Sequence, residues 1–264
     1  MADMRIKFLA TSVQMQMHLS VFLPDSVIAD PACMAPDGLK TLWLLHGEGG
    51  DRSDWQRLSM VEHHAQAAGI ALVMPNMDNS MYMDMAHGGY PYFRYLSQDL
   101  PAHARDLVRV LSARPQDNYV AGVGVGGYGA LKWALRSPGS FAAAAAFSAP
   151  VDIVGALRAK AAAGALADDW AAAFGDAGRV EGTPDDILFL ARQAVAANEA
   201  TSRIRLALSR RDEGFAEHAA AARALSELGL SVDLHEEPDA AGWPFWSDRV
   251  GAFIDAIAAA REEG

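Results

Sequence analysis

The sequence has a single cysteine in 264 residues, Cys33, so no disulfide can close within the chain. Such sparing use fits a reducing compartment. No apolar run approaches the ~20 residues a membrane span needs, and the opening MADMRIKFLATSVQMQMHLS holds no apolar stretch of the length of a secretory leader. Basic residues are also in short supply, with 22 Lys and Arg against 33 Asp and Glu and a formal net charge of -11. That balance argues against nucleic acid and anionic membrane surfaces as partners. Neither an HxxxH nor a CxxC spacing occurs, so no metal site and no cofactor are expected. The expectation from these absences is a soluble, cytoplasmic protein.

What is present is a chain with 51% hydrophobic content, long enough to bury a substantial core as one α/β domain spanning residues 1–264. Residues 5–12 and 16–23 read as two β segments around a turn near Gln14 to Gln16, and 26–39, rich in Pro, Asp and Gly, as a loop. Thr41 to Leu45 and Ile70 to Met74 are continuous apolar runs of the kind buried on both faces of a parallel sheet. Ser53 is placed to cap a helix, and Tyr95 to Leu111 shows helical spacing of Leu96, Leu100, Leu107 and Leu111. Between them, 76–94 is an irregular, Met-rich stretch too long for a simple connection. Its methionines suggest either an adaptable apolar surface or packing onto the core.

Beyond Phe141 to Ser148, another strand, the Ala-rich region at about 152–201 reads as a helical cap insertion over the strand ends. Arg203 to Ser209 and Leu230 to His235 resume the strand pattern, with helices at Ala216 to Leu228 and Trp246 to Arg261. Strands alternating with helices imply a mostly parallel sheet covered on both faces, with a site at the carboxyl ends of the strands.

The most informative stretch is Tyr119 to Ala130, YVAGVGVGGYGA. An apolar strand runs into glycines and a helical pattern runs out, which predicts a tight strand-turn-helix. Gly122, Gly124 and Gly127 fit GxGxxG, but the next strand ends at Ser148 and offers no acid for a ribose, so a dinucleotide site is disfavoured. The five residues Gly122 to Gly126 also stand where a nucleophile elbow GxSxG would stand, with glycine at the serine position.

Several ordered motifs point the same way. LLHG at 44–47 is followed by Asp54-Trp55, then VMPN at 73–76, Tyr82, Asp84 and Met85, AGxxxGGYGALK at 121–132, Ser148, and Trp243, Phe245 and Trp246. With these residues the chain resembles the tributyrin esterase and S-formylglutathione hydrolase branch of the esterase D group of α/β-hydrolases, nearly end to end. The resemblance implies an α/β-hydrolase fold and a Ser, Asp, His triad in that chain order. Carried over by position, the nucleophile falls on Gly124, the acid on Asp212 within SRRDEGF at 209–215, and the base on Ala241. The oxyanion hole implied is the backbone N–H of Glu48 and of Val125. A Glu48 carboxylate facing the cleft would disfavour anionic ligands.

The remaining candidates are pocket walls from Trp55, Tyr82 and Trp243, each with a plain core reading, and His87 in the long loop. His46 is expected to pack and hydrogen-bond, His235 to lie against the sheet face or a neighbouring helix, and His63 and His64 to be exposed on a helix. Three functions follow. The first is a catalytically impaired esterase relative binding a small ester, acid or alcohol. The second is a hydrolase using other groups, such as water activated by Asp212 or His87. The third is a scaffold, compatible with a homo-oligomer.

Overall fold

The computed structural model describes residues 1–25 and 38–260. Cys33 and most of the loop expected at 26–39 lie outside these residues, as does Arg261 at the end of the last expected helix. Among the described residues a sheet of eight strands runs in the order β1-β2-β4-β3-β5-β6-β7-β8. Strands β1 (Ala2–Ala10) and β2 (Met15–Leu23) pair antiparallel, and β2 meets β4 (Ala71–Pro75) antiparallel. The turn between the first two passes Gln14 at φ +52°. From β4 onward all pairs are parallel: β3 (Thr41–Leu45), β5 (Asn118–Val123), β6 (Ala143–Phe147), β7 (Arg203–Ser209) and β8 (Val232–Glu237). The mostly parallel sheet is therefore as the sequence predicts.

Side-chain alternation divides the core between the two faces. Leu42, Leu44, Tyr119 and Ala121 join one cluster with Trp55, Val61 and Ile254. Trp43, Leu45 and Val120 join the other with Tyr128, Leu131 and Leu225. The first face is covered by α1 (Asp54–Leu58), α2 (Val61–Ala68) and the last helix, and the second by helices from the middle of the chain. Ser53 does occupy the N-cap position of α1, but its hydroxyl bonds Asp51 Oδ1 at 2.6 Å and makes no cap bond to the helix.

Two local departures matter. The helix expected over Tyr95 to Leu111 is a single turn at Tyr92–Arg94, a π-helical turn at Tyr95–Asp99, and α3 (Leu100–Leu107). Leu96 and Leu100 are buried, whereas Leu107, the last residue of α3, is 55% exposed. The Met-rich loop takes its core reading, because Met77, Met81 and Met83 are all buried in the larger cluster.

Helix α4 (Val125–Arg136) leaves the elbow. Between β6 and β7 come α5 (Ile153–Ala162), α6 (Asp168–Phe174), α7 (Ala177–Val180) and α8 (Ile187–Ala196), within the region the sequence marks as an insertion. Asp152, Asp176 and Asp186 cap α5, α7 and α8 by accepting backbone N–H bonds. Helices α9 (Phe215–Glu227) and α10 (Gly242–Ala259) complete the chain as described.

Candidate functional site

A cleft of about 760 Å³ opens at the carboxyl ends of β3, β5, β6 and β7, where a parallel sheet offers its loops and helix N-termini to a ligand. The elbow forms its floor. Gly124 turns at φ +55°, ψ -126°, between the end of β5 and the first residue of α4, a conformation that is strained for any residue with a Cβ. Its N–H donates to the Phe147 carbonyl at 2.9 Å. A Cβ at Gly124 would meet nothing within 4 Å, so any side chain placed here would project into open space. Gly126 is glycine for a different reason. A Cβ there would collide with the carbonyls of His46 and Leu45, so only glycine lets α4 pass this close to the end of β3.

The loop after β3 faces the elbow across the cleft, and Glu48 and Val125 both line it. Val125 is the first residue of α4, where N–H groups have no intrahelical partner and the helix dipole favours negative charge. His46 sets the Glu48 loop. Its Nδ1 lies 2.8 Å from the Gly47 carbonyl and its Nε2 accepts from the Met77 N–H at 3.0 Å, which assigns the proton to Nδ1. Burial, the largest influence, holds this imidazole below its ordinary pKa, against the opposing pull of the Gly47 carbonyl and Asp54. His46 is thus a neutral, fully bonded positioning group, in keeping with its expected packing role.

Trp55 and Tyr82, for which the sequence leaves both a wall and a core reading open, are pins beneath the floor. The Trp55 indole N–H donates to the Leu45 carbonyl at 3.1 Å and the Tyr82 hydroxyl to the His46 carbonyl at 2.6 Å. Both side chains are enclosed and neither lines the cleft. They fix the carbonyls at the end of β3, a use of the polar tip that a large buried aromatic requires. His87 is also absent from the cleft. It is exposed, and its backbone N–H bonds the Ala172 carbonyl at 2.9 Å, tying the long loop to α6.

Trp243 does line the cleft, packed edge-on against Trp55 and Trp246 at 5.3 Å. Asp212 lines it too, with Oδ2 accepting from the Ser209 N–H at 2.7 Å. Ala241 is half-buried at the N-cap of α10, and its neighbours Gly242 and Trp243 form the wall. His235 lies in β8, 43% exposed, with Glu237 at 3.4 Å. His63 is exposed, whereas His64 is half-buried against Gly251 of α10.

The structure adds residues to which the sequence assigns no role in the cleft. Ser148 closes β6 at φ +49° with its Oγ accepting from the Trp246 indole N–H at 2.9 Å. Lys160 of α5 sits 5.2 Å over the Trp170 ring and 3.0 Å from Glu213. His218 of α9 is buried within the wall. Helical spacing in FAEHAAAARA could have placed His218 on the apolar face with Ala221, Ala222 and Leu225, but nothing in the sequence says that this face turns its first residue toward the cleft. Among the described residues no cluster of His, Cys, Asp or Glu is arranged to hold a metal ion.

Comparison with known proteins agrees with this architecture. The family described as "Putative esterase" matches residues 10–244. An acetyl esterase of Caldicellulosiruptor saccharolyticus is 25% identical over 214 residues, 80% of each chain. Among solved structures, the fluorophosphonate-binding serine hydrolase FphF of Staphylococcus aureus is 25% identical with a TM-score of 0.85, covering 97% of this chain and 98% of its own. The S-formylglutathione hydrolase FrmB of the same organism is also 25% identical, with a TM-score of 0.84 over the same shares. A strand-turn-helix elbow at Gly124, a facing loop after β3 and a family match across most of the length lead to one conclusion: this chain belongs to the esterase family and has the α/β-hydrolase fold.

Proposed function

We propose that the protein is a catalytically impaired member of the esterase family whose cleft binds a small ester, acid or alcohol. The observation that carries this reading is the elbow itself, where Gly124 brings the backbone turn of a nucleophile but no hydroxyl. Ala241 at the position of the base supports it, since an imidazole there would take the proton that a serine must lose. The binding half of the site supports it as well. The Glu48 and Val125 N–H groups, the indole walls and Asp212 remain around a cleft large enough for a small ligand.

Hydrolysis of p-nitrophenyl acetate tests the reading. The parent should turn over near background, and the Gly124→Ser, Ala241→His double variant should gain at least about a hundredfold. A parent rate well beyond ~10⁴-fold over water, the residue left by an oxyanion hole alone, overturns it. A fluorophosphonate probe should correspondingly label the double variant and leave the parent unlabelled. A hydrolase working through water activated by Asp212 is the second reading, favoured by the place of that carboxylate in the cleft. It predicts parent turnover that Asp212→Asn abolishes.

A further inference from the structure

A second pocket, of about 160 Å³, lies at the amino ends of β5 and β6, the pole of the sheet opposite the cleft. Arg105 of α3 and Trp133 of α4 line it, together with Trp43, Ser97, Ser137 and Ser140. Arg105 is half-buried and met only by neutral groups. Its Nε donates to the Ser112 carbonyl at 3.3 Å and its Nη2 to Asn118 Oδ1 at 3.1 Å, with the Trp43 ring 5.7 Å from Cζ. Among the described residues it has no carboxylate partner. Asp117, the acid of the adjoining loop, is held instead by Arg114 at 3.1 Å and by the Ser112 hydroxyl at 2.8 Å. Burial lowers the pKa of the guanidinium with no acid pulling the other way, yet the group stays charged. Its Nη1 has no acceptor among the described residues, and it is not enclosed, since the enclosed atoms left without a partner there are Tyr95 Oη, His218 Nδ1 and Arg249 Nε.

A second observation is independent of this charge. Trp133 is 3% exposed, and its indole N–H likewise has no acceptor among the described residues and is not enclosed. A nearly buried donor of this kind ordinarily finds a partner, as the Trp43 indole beside it does on Asn118 Oδ1 at 3.0 Å. Among the described residues the Ser137 and Ser140 hydroxyls make no bond either, whereas that of Ser97 is spent on the Phe93 carbonyl at 2.8 Å. Guanidinium and indole N–H groups can only donate, so their role toward a ligand is fixed. The volume is below that of a drug-sized ligand's site and suits a small ion that only accepts.

We propose that this pocket binds a small tetrahedral oxyanion, phosphate or sulfate, on the free N–H groups of Arg105 and Trp133, at a site separate from the cleft.

Titration calorimetry of the full chain with inorganic phosphate, at an ionic strength held constant with chloride, tests the proposal. Phosphate should bind saturably, and Arg105→Gln should weaken it about tenfold or more, the loss expected of charge-assisted hydrogen bonds. Arg105 also braces Ser112 and Asn118, so circular dichroism reports whether this variant folds. Ser140→Asp carries the test where it does not. That substitution sets a carboxylate at an exposed position on the pocket rim, leaves the core untouched, and should weaken phosphate about threefold. Absence of saturable binding by the parent overturns the proposal. Binding that neither substitution weakens also overturns it, and places the anion elsewhere, such as the α4 N-terminus in the cleft.

Discussion

At the scale of single residues, two glycines of one turn answer to different constraints. Gly124 is required by dihedral angle alone, with open space where a side chain would be, and Gly126 by contact with the His46 and Leu45 carbonyls. Gly124→Ala should therefore cost only the backbone strain, about 1–3 kcal/mol. Gly126→Ala should cost about 3 kcal/mol or more, because backbone must move to admit the methyl group. Denaturant melts of the two variants check the order, and equal losses would show that the elbow is not held as described. This contrast was half legible in the sequence: the spacing of glycines announced a tight turn, but not which of them answered to angle and which to space. Trp55 and Tyr82 were visible as large aromatics near the site, yet only the fold shows that their polar tips reach down to the Leu45 and His46 carbonyls. Helical spacing places His218 on an apolar face, but a histidine among alanines reads the same whether that face meets solvent or a cleft.

At the scale of elements, the helical insertion is fastened to the elbow helix by charge. Lys132 of α4 is fully buried, with Nζ 3.1 Å from Asp185 Oδ1 and 3.1 Å from Met83 Sδ, between the rings of Phe93 and Tyr128 at 4.7 and 4.9 Å. The Tyr128 hydroxyl adds a bond to the Asp185 carbonyl at 2.8 Å. Burial, outweighing Asp185, lowers the lysine from 10.5 to about 8. Between those values the unfolded chain holds a proton that the folded protein has released, so stability should rise with pH across that window. Lys132→Met should lose this rise when melting temperatures are compared from pH 8 to 10.5, while Arg136, 3.5 Å from Asp185, keeps the carboxylate paired. An unchanged profile would mean that Lys132 is not desolvated. The sequence showed the lysine at the end of AGxxxGGYGALK and helices at about 152–201, but the partner at Asp185 is a matter of tertiary distance. The π-helical turn at Tyr95–Asp99 escaped for a related reason, because Leu spacing alone does not report one widened turn.

At the scale of the whole molecule, the strand runs were the most legible feature, since burial on both faces leaves a continuous apolar signal that periodicity cannot disguise. The strand segments, the mostly parallel sheet and a cleft at the strand ends followed from that signal and from the placing of helices between strands, whereas the order of the eight strands emerges only from the fold. The molecule should also be sensitive to mild acid. His46 and His218 are both held below the ordinary value of 6.5 by burial. As pH falls through that value the unfolded chain gains protons that the folded one refuses, so stability falls until the folded values are reached. Melting temperature should drop from pH 7 to 5, and a His218→Leu variant should drop less. An equal drop would place the acid sensitivity elsewhere.

The vacant side of Gly124 bears on the history of such a protein. When a lineage abandons a reaction, later substitutions commonly fill the abandoned space, and a return then demands that several changes be undone in order. Here no neighbour has moved in within 4 Å of the missing Cβ. On the reading proposed for the cleft, the way back to a hydroxyl at this position is not ratcheted shut, and selection could walk it without first clearing an obstruction.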